Sequence, residues 1–277
     1  MSVVYCWDLC DVFAKKSVTD DFFCNRSVGA NPVERIYLGS YFCGNMFMLL
    51  SNKELFASLA ERARRFSLHI TLVVPVLPER YVDGALKLIS SLLTDWSDVV
   101  DELSVNDIPM LAFLRRSYPH VKICAGRLIN KTLRDIRDRE FFEIKQEPKV
   151  FGDYYMRVFE ENGISCVEID NTAREIEIPL YADNMEVAIH LPYVYATTCN
   201  ICEFASIDKN YDHKFRPSDK CSYECLTRAV EYDVSTQDGS VKYYKFGCGV
   251  YFKNENLKIN RTDNIRYIYN SERGVRS

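Results

Sequence analysis

The 277-residue chain lacks several features that would place it in a well-defined class of protein. No run approaches the roughly 18 apolar residues that a membrane-spanning helix needs, so the sequence predicts no transmembrane segment. The first residues, Met1–Asp8, contain no basic stretch followed by an apolar one, which disfavours export. Internal repeats and low-complexity segments are also missing. These absences favour a cytoplasmic globular protein with one large core.

Two catalytic or binding motifs are missing as well. No glycine-rich phosphate-binding segment follows the first strand-like run, which argues against an open dinucleotide-binding sheet. No G-x-S-x-G motif is present, so the sequence gives no support for a serine peptidase. The formal net charge is −4, which excludes a generally cationic surface and weighs against nucleic-acid binding.

Cysteine, by contrast, is plentiful, with eleven residues in the chain. In a protein without a secretory signal this number fits a reducing compartment, with some thiols on a metal and the others buried as small hydrophobic side chains. The second group is expected to comprise Cys6, Cys10, Cys24, Cys124 and Cys166.

Four cysteines are concentrated near the C-terminus in the pattern C-x2-C-x18-C-x3-C, formed by Cys199, Cys202, Cys221 and Cys225. Paired cysteines at such spacings are typical of soft metal ligands, either around zinc in a zinc ribbon or around an iron–sulfur cluster. A rival set replaces Cys202 with the distant Cys43, which follows a predicted strand. Spacing alone does not choose between the two sets.

The pattern upstream of residue 198 alternates between strands and helices, which predicts a parallel sheet. The number of units favours a (β/α) TIM-like barrel, closed or distorted, over an open sheet. Strands are predicted at 3–7, 35–39, 69–76, 101–105, 121–125, 165–169 and 185–195, and helices at 52–66, 81–93, from 107, 130–139 and 151–162.

A single domain over residues 1–277 is the simplest organisation. Residues 1–198 are predicted to form the barrel core, and residues 199–277 a cysteine-rich loop region with closing elements. Within that second part, 241–246 and 249–253 suggest a hairpin, and 265–269 a closing strand.

Three segments resemble a known family. The run RIYLGSYFC (35–43), the run HLPYVYATTC (190–199) and the run DKCSYEC (219–225) are similar, in order and spacing, to signatures of UbiV-like proteins in the collagenase-like peptidase U-thirty-two superfamily. The chain departs from those signatures where Ser40 replaces a glutamate and Leu191 replaces a glycine. Thr197 and Thr198 likewise stand in place of Ser-x-Arg.

The resemblance implies a 4Fe–4S cluster. Its ligands would be Cys43, Cys199, Cys221 and Cys225. Cys202 has no counterpart in that signature, and another branch of the superfamily takes its fourth ligand from beyond the C-x3-C pair, which makes Cys248 an alternative. Zinc remains the alternative metal.

The resemblance also implies a function. UbiV-like proteins act with a UbiU-like partner, as a heterodimer, in oxygen-independent hydroxylation during ubiquinone synthesis. The expected substrate is therefore a quinone precursor or a similar aromatic small molecule, and the chain is expected to be a hydroxylase subunit. Two alternatives stay open: an RNA-base hydroxylase of the same superfamily, and a zinc-stabilised scaffold without catalytic activity.

Two further residues are candidates for acid–base chemistry. Glu168 stands between two apolar residues in a predicted strand and could point into the barrel, and His190 lies in another apolar run. Each also has a structural interpretation, as a paired buried carboxylate and as a core histidine. The resemblance favours a functional role for His190, because a histidine occupies this place in the family signature.

Overall fold

The structure is a computed structural model that describes residues 3–9, 23, 27–130, 134, 148–172, 175–199, 201–207, 209–214, 221–236 and 239–270. Its strands are β1 (Val3–Asp8), β2 (Ser27–Val28), β3 (Asn31–Pro32), β4 (Arg35–Gly39), β5 (His69–Val74), β6 (Val100–Val105), β7 (Lys122–Ala125), β8 (Cys166–Asp170), β9 (Glu186–Leu191), β10 (Tyr193–Thr198), β11 (Val230–Thr236), β12 (Gly239–Phe246), β13 (Gly249–Lys253) and β14 (Ile265–Asn270). Its α-helices are α1 (Gly44–Met48), α2 (Lys53–Arg65), α3 (Glu79–Asp95), α4 (Ile108–Ser117) and α5 (Asp153–Glu161). Short 3-10 helices span Leu49–Ser51, Lys149–Phe151, Leu180–Ala182, Phe204–Ser206, Tyr211–His213 and Glu224–Leu226.

The predicted barrel is confirmed. Parallel strands close on themselves in the order β1-β14-β9-β8-β7-β6-β5-β4. The last strand of the chain, β14, enters between β1 and β9, with Val3 opposite Ile265 and Val187 opposite Ile265 on the other side. The segment IRYIY therefore closes the barrel, as the sequence pattern predicts.

Local sequence signals determine where the outer helices begin and which face of them is buried. The Asn52 side chain accepts a hydrogen bond from Leu55 N at 3.2 Å, and the Asp107 side chain accepts one from Met110 N at 2.8 Å, so each caps a helix at the predicted place. The apolar stripe of α2 is buried against the barrel: Phe56, Leu59, Ala60 and Ala63. These contacts fix the outer face of the strands.

Side chains alternate between two cores. One large apolar cluster lies between the strands and the helices and includes Ile36, Leu72 and Val187. A second cluster takes one residue from most barrel strands and fills the interior: Cys6, Tyr37, Tyr41, Val73, Cys124, Cys166, Ala188 and Ile268. Glu168 and His190 lie two positions from Cys166 and Ala188, are fully buried and therefore also face the interior. Glu102 faces it too, because its carboxylate accepts hydrogen bonds from Thr71 and Arg266.

One strand boundary differs from the prediction. The single strand predicted over 185–195 is divided at Pro192, which has no N–H group to donate to a ladder. Upstream of it β9 belongs to the barrel, whereas β10 leaves the barrel and pairs antiparallel with β13. A separate sheet in the order β10-β13-β12-β11 results, and it contains the predicted hairpin as β12 and β13.

Some sequence predictions concern residues without a described placement. The helix predicted over 130–139 lies outside the described residues except for Asn130 and Arg134, and so do Cys10 and Cys24. Within the described ranges, no helix combines the length and the apolar character needed to cross a membrane.

Candidate functional site at the C-terminal end of the barrel

Cysteines from four separate segments line one open cavity beside the end of strand β4. They are Cys43, Cys202, Cys221, Cys225 and Cys248, together with Phe42, Gly44, Met46, Arg80 and Tyr81. Cys43, Cys202, Cys221 and Cys248 are free thiols. In a (β/α) barrel the C-terminal ends of the strands are where ligands and reactive groups gather, and the cavity lies at that end.

The β4–α1 turn places Cys43. Gly39, with φ of 131°, ends the strand, and a Cβ on it would lie 2.3 Å from the backbone oxygen of Val73, so only glycine fits. The Ser40 hydroxyl then accepts a hydrogen bond from the backbone N–H of Cys43 at 3.0 Å. The Ser40 side chain thus holds the turn that precedes Cys43.

The other four thiols come from loops that are tied to the small sheet and to α1. Cys248 lies in the turn between β12 and β13, where the preceding Gly247 has φ of 52°. The backbone N–H of Tyr223 donates to Cys221 Sγ at 3.4 Å, and the Tyr223 hydroxyl donates to the backbone oxygen of Asn45 at 3.4 Å. That second bond connects the loop of Cys221 and Cys225 to the segment that carries Cys43.

The thiols perturb one another. A hydrogen bond from Cys248, which outweighs burial, lowers the pKa of Cys43 to about 7 and that of Cys202 to about 6. The same two contacts raise the pKa of Cys248. Burial raises the pKa of Cys221. The contact with Cys248 therefore favours the thiolate, the form that binds metals, at Cys43 or Cys202.

Cys199 lies apart from the cavity wall. Its side chain is exposed, its Sγ donates to the backbone oxygen of Ile201 at 2.9 Å, and it is not among the residues that line the cavity. Its backbone is nevertheless close, because Cys199 N donates to the backbone oxygen of Cys248 at 3.2 Å. The structure thus brings three of the four cysteines named by the family resemblance together with both alternatives. Which of them bind a metal stays a prediction.

Glu168 and His190 meet inside the barrel. Both side chains are fully buried on adjacent strands, and His190 Nε2 lies 2.9 Å from Glu168 Oε2. The ring of Tyr41 stands edge-on to the imidazole, with 5.0 Å between centroids and 88° between planes. Among the described residues, Glu168 Oε1 and His190 Nδ1 have no hydrogen-bond partner.

A second buried pair was not predicted from the sequence. Arg127, which follows β7, donates through Nη2 to Asp170 at the end of β8. Burial opposes the charged form of Asp170, but Arg127 and Arg134 outweigh it and hold the pKa of that carboxyl below its usual range. The available signal was the position of Gly126-Arg127 just past β7 and of Asp170 at the end of β8, where side chains gather at the barrel mouth.

Residues 41 and 42 separate the two groups of side chains. Tyr41 contacts His190 inside the barrel, while Phe42 lines the cysteine cavity and packs on Tyr195 and Tyr251, at 5.1 and 5.9 Å between centroids. The Arg127 guanidinium lies over the rings of Tyr41, Phe42 and Tyr195. A single aromatic layer therefore stands between the thiols and the buried polar groups.

Comparison with solved structures finds a likeness to "The Structure of the U32 Peptidase Mk0906", with a TM-score of 0.46 and 12% sequence identity, over 98% of this chain and 93% of that one. No protein-family profile matches the sequence, and no curated protein does. The barrel assignment rests on the strand order of this chain, and the site on its own side chains.

Proposed function

We propose that this chain binds a 4Fe–4S cluster and serves in oxygen-independent hydroxylation of a quinone precursor or a similar aromatic small molecule, together with a UbiU-like partner. The substrate class and the partner come from the resemblance of the three sequence segments to UbiV-like proteins. The cluster has support from the chain's own side chains.

The observation that carries the proposal is the convergence of five cysteines on one cavity. They come from positions as far apart as 43 and 248, so the fold and not a local motif assembles them. A zinc ribbon built from the four clustered cysteines would not need Cys43. Thiolates are the usual ligands of iron–sulfur clusters, so this donor set fits the group.

Sulfur separations favour a group larger than one ion. In a tetrahedral zinc site with Zn–S bonds of about 2.3 Å, the sulfurs lie about 3.8 Å apart. Among the residues the structure describes, no three of these cysteine sulfurs lie within 4.8 Å of one another.

We assign four cysteines as ligands: Cys43, Cys202, Cys221 and Cys225. Cys202 takes the role that the resemblance gives to Cys199, because its thiol lines the cavity and that of Cys199 does not. Cys248 contacts the thiols of Cys43 and Cys202, where it can donate a hydrogen bond to ligand sulfurs.

Such a cluster supplies electrons when it is bound. The chain's own groups then act around it. Phe42 excludes water from the barrel side of the cavity, and the Glu168–His190 pair, behind Tyr41, is placed to hold or move a proton.

Metal analysis of anaerobically purified protein tests the proposal. We expect brown protein with about four iron atoms and about four acid-labile sulfides per chain. Cys43→Ser and Cys202→Ser should each lose most of the iron, because each removes a ligand. Colourless wild-type protein with a single zinc ion would contradict the cluster.

Cys199→Ser is the matched control, since the same substitution is made only three positions from Cys202. We expect it to keep its iron. If Cys199→Ser loses the iron and Cys202→Ser keeps it, the ligand set is the one that the family resemblance implies, and the cavity-based assignment fails.

A further inference from the structure

Two cysteines lie side by side in the barrel interior. Cys124 on β7 and Cys166 on β8 are register partners on neighbouring parallel strands, and both side chains are fully buried. Their Sγ atoms lie 2.8 Å apart, and both are free thiols. Neither lines the cysteine cavity, so the proposed function gives this pair of nucleophiles no role.

The backbone already provides the separation that a disulfide needs. Neighbouring strands lie about 4.8 Å apart, and disulfides join residues whose Cα atoms are about 4.4–6.8 Å apart. The two sulfurs need to approach by less than about 1 Å to reach the bonded distance of about 2.05 Å. A small movement of the side chains is therefore enough to close the bond, and the strands keep their register.

The bond would cross the shortest seam of the barrel. Two pairs of register partners join β7 and β8, Cys124 with Cys166 and Ala125 with Val167, whereas five pairs join β8 and β9. A short ladder has few hydrogen bonds to resist local opening. A covalent link at this position therefore reinforces the place where two barrel strands separate most easily.

Cys166 is the thiol that reacts first. Burial, assisted by the contact with Cys166, raises the pKa of Cys124 well above its ordinary value, so Cys124 keeps its proton. Cys166 instead lies beside two cations, Lys122 and Arg266, which attract a negative charge on its sulfur. The carboxylates within 4.8 Å of that sulfur are themselves paired with the same two cations. Neighbouring cations of this kind favour the reactive thiolate.

Cys166 also lies close beneath the surface at the N-terminal end of the barrel. The Glu186 carboxylate, within 4.8 Å of its sulfur, belongs to a side chain that is 16% exposed. Lys122, which pairs with that carboxylate, has a side chain that is 39% exposed. Movement of these two long side chains opens a path for an oxidant of about the size of water.

We propose that Cys124 and Cys166 are a peroxide-sensitive dithiol that closes into a disulfide between β7 and β8. The Cys166 sulfur attacks one oxygen of hydrogen peroxide, the O–O bond breaks, and a sulfenic acid and one water molecule form. The Cys124 sulfur then attacks Cys166 Sγ, the S–O bond breaks, and the hydroxyl group leaves as water with the thiol proton. The two thiols lose two electrons and the peroxide gains them. A thiol reductant reverses the bond by exchange.

This modification goes beyond the proposed function, because it needs neither the cysteine cavity nor a cluster. It also suits a reducing compartment, in which protein disulfides are usually transient and redox-sensing. The oxidised barrel would be the more stable form, since the bond closes a loop of about 40 residues and restricts the unfolded chain.

Peptide mapping tests the bond. The folded full-length protein is treated with hydrogen peroxide, unfolded in the presence of N-ethylmaleimide, and digested with trypsin without reductant. The tryptic fragments 123–127 and 158–174 contain Cys124 and Cys166 as their single cysteines, so a linked pair of these fragments identifies the bond. We expect this pair to account for more than half of fragment 123–127 and to disappear after treatment with dithiothreitol.

Two variants separate the dithiol from other oxidised cysteines. Cys6→Ala is the matched control, because Cys6 belongs to the same buried cluster but has Ile268 and Arg35 as register partners, and it should form the linked pair like the wild type. Cys124→Ala removes the second thiol, so the Cys166 sulfenic acid should persist and react with dimedone. Peroxide should raise the urea midpoint of the wild type by at least roughly 0.5 M relative to that of Cys124→Ala.

Recovery of both cysteines unlinked from folded, peroxide-treated wild type would overturn the proposal. A link from either of them to a different cysteine would also overturn it, as would equal urea midpoints for the oxidised wild type and the oxidised Cys124→Ala protein. The peptide masses do not depend on iron. A protein that forms this bond but holds no iron would therefore contradict the cluster alone, and a protein with iron but without the bond would contradict the dithiol alone.

Discussion

The two ends of the barrel interior contain similar side chains but differ in how those side chains are paired. At the N-terminal end Arg266 Nη1 lies 2.6 Å from Glu102 Oε1 and Arg266 Nη2 lies 2.7 Å from Glu186 Oε2. Lys122 Nζ joins Glu186 at 2.5 Å. At the C-terminal end Glu168, His190 and Arg127 each keep at least one buried polar atom without a partner, within the described part of the chain.

This difference distinguishes polar groups that stabilise the barrel from polar groups that are able to bind a ligand. Buried charges that are fully paired hold strands together and leave no capacity for a ligand. The carboxylates of Glu102 and Glu186 lie within 4.8 Å of the Cys166 thiol, a geometry that could suit a metal ion, but Arg266 and Lys122 already occupy their oxygens. Open capacity is found at the C-terminal end, where barrel enzymes bind their substrates.

The largest expected effect is on stability at the paired end. Glu102→Gln leaves the Arg266 guanidinium buried with one negative charge fewer, so we expect the free energy of unfolding to fall by about 3–5 kcal/mol. Urea denaturation at neutral pH measures it. Glu61→Gln, on the exposed face of α2, serves as the control and should change stability by less than about 0.5 kcal/mol. A loss below about 1 kcal/mol for Glu102→Gln would contradict the structural role.

The pH dependence should show the same network. Burial opposes the charged form of Glu102, but Arg266 and Arg35 outweigh it and hold its pKa well below the ordinary 4.5. The unfolded chain therefore takes up this proton first as the pH falls. Stability is present above pH 4.5 and is lost toward the folded pKa, by up to about 1.4 kcal/mol per pH unit. Urea midpoints between neutral and acid pH should fall less steeply in Glu102→Gln, and parallel curves would refute this.

The smallest expected change in stability is at the open end. In Glu168→Gln the amide oxygen can still accept from His190 Nε2, and the position of Oε1 has no partner to lose among the residues that the structure describes. We expect unfolding free energy to stay within about 1 kcal/mol of the wild type in the same urea experiment. A loss as large as that of Glu102→Gln would show that both ends are structural, and the comparison would fail.

Much of the fold follows from patterns that are local in the chain. The apolar stripe of α2, the Asn52 and Asp107 caps and the β-branched run of β5 each carry their own signal. Parallel order and barrel class follow from the repetition of such units. The β10 boundary was harder, because the apolar run continues through Pro192 while the strand changes sheets.

The candidate site was predictable in part. Cysteine spacing and the segment RIYLGSYFC pointed to Cys43, Cys221 and Cys225, which line one cavity. The choice among Cys199, Cys202 and Cys248 could not be made from spacing, because all three belong to segments that end near the β12–β13 turn. Their thiols differ in direction, and direction depends on how β10 and β13 pair.

The sequence by itself determined which residue types are available: a surplus of cysteine, and isolated polar residues such as Glu102, Glu168 and His190 within apolar strands. Period-two alternation already places these side chains on one face. Only the tertiary structure decided which polar groups are paired, because pairing depends on strand register around a closed barrel. Arg266 reaches Glu102 across 164 positions of sequence, whereas Arg127 and His190 each keep a polar atom without a partner in the described part of the chain.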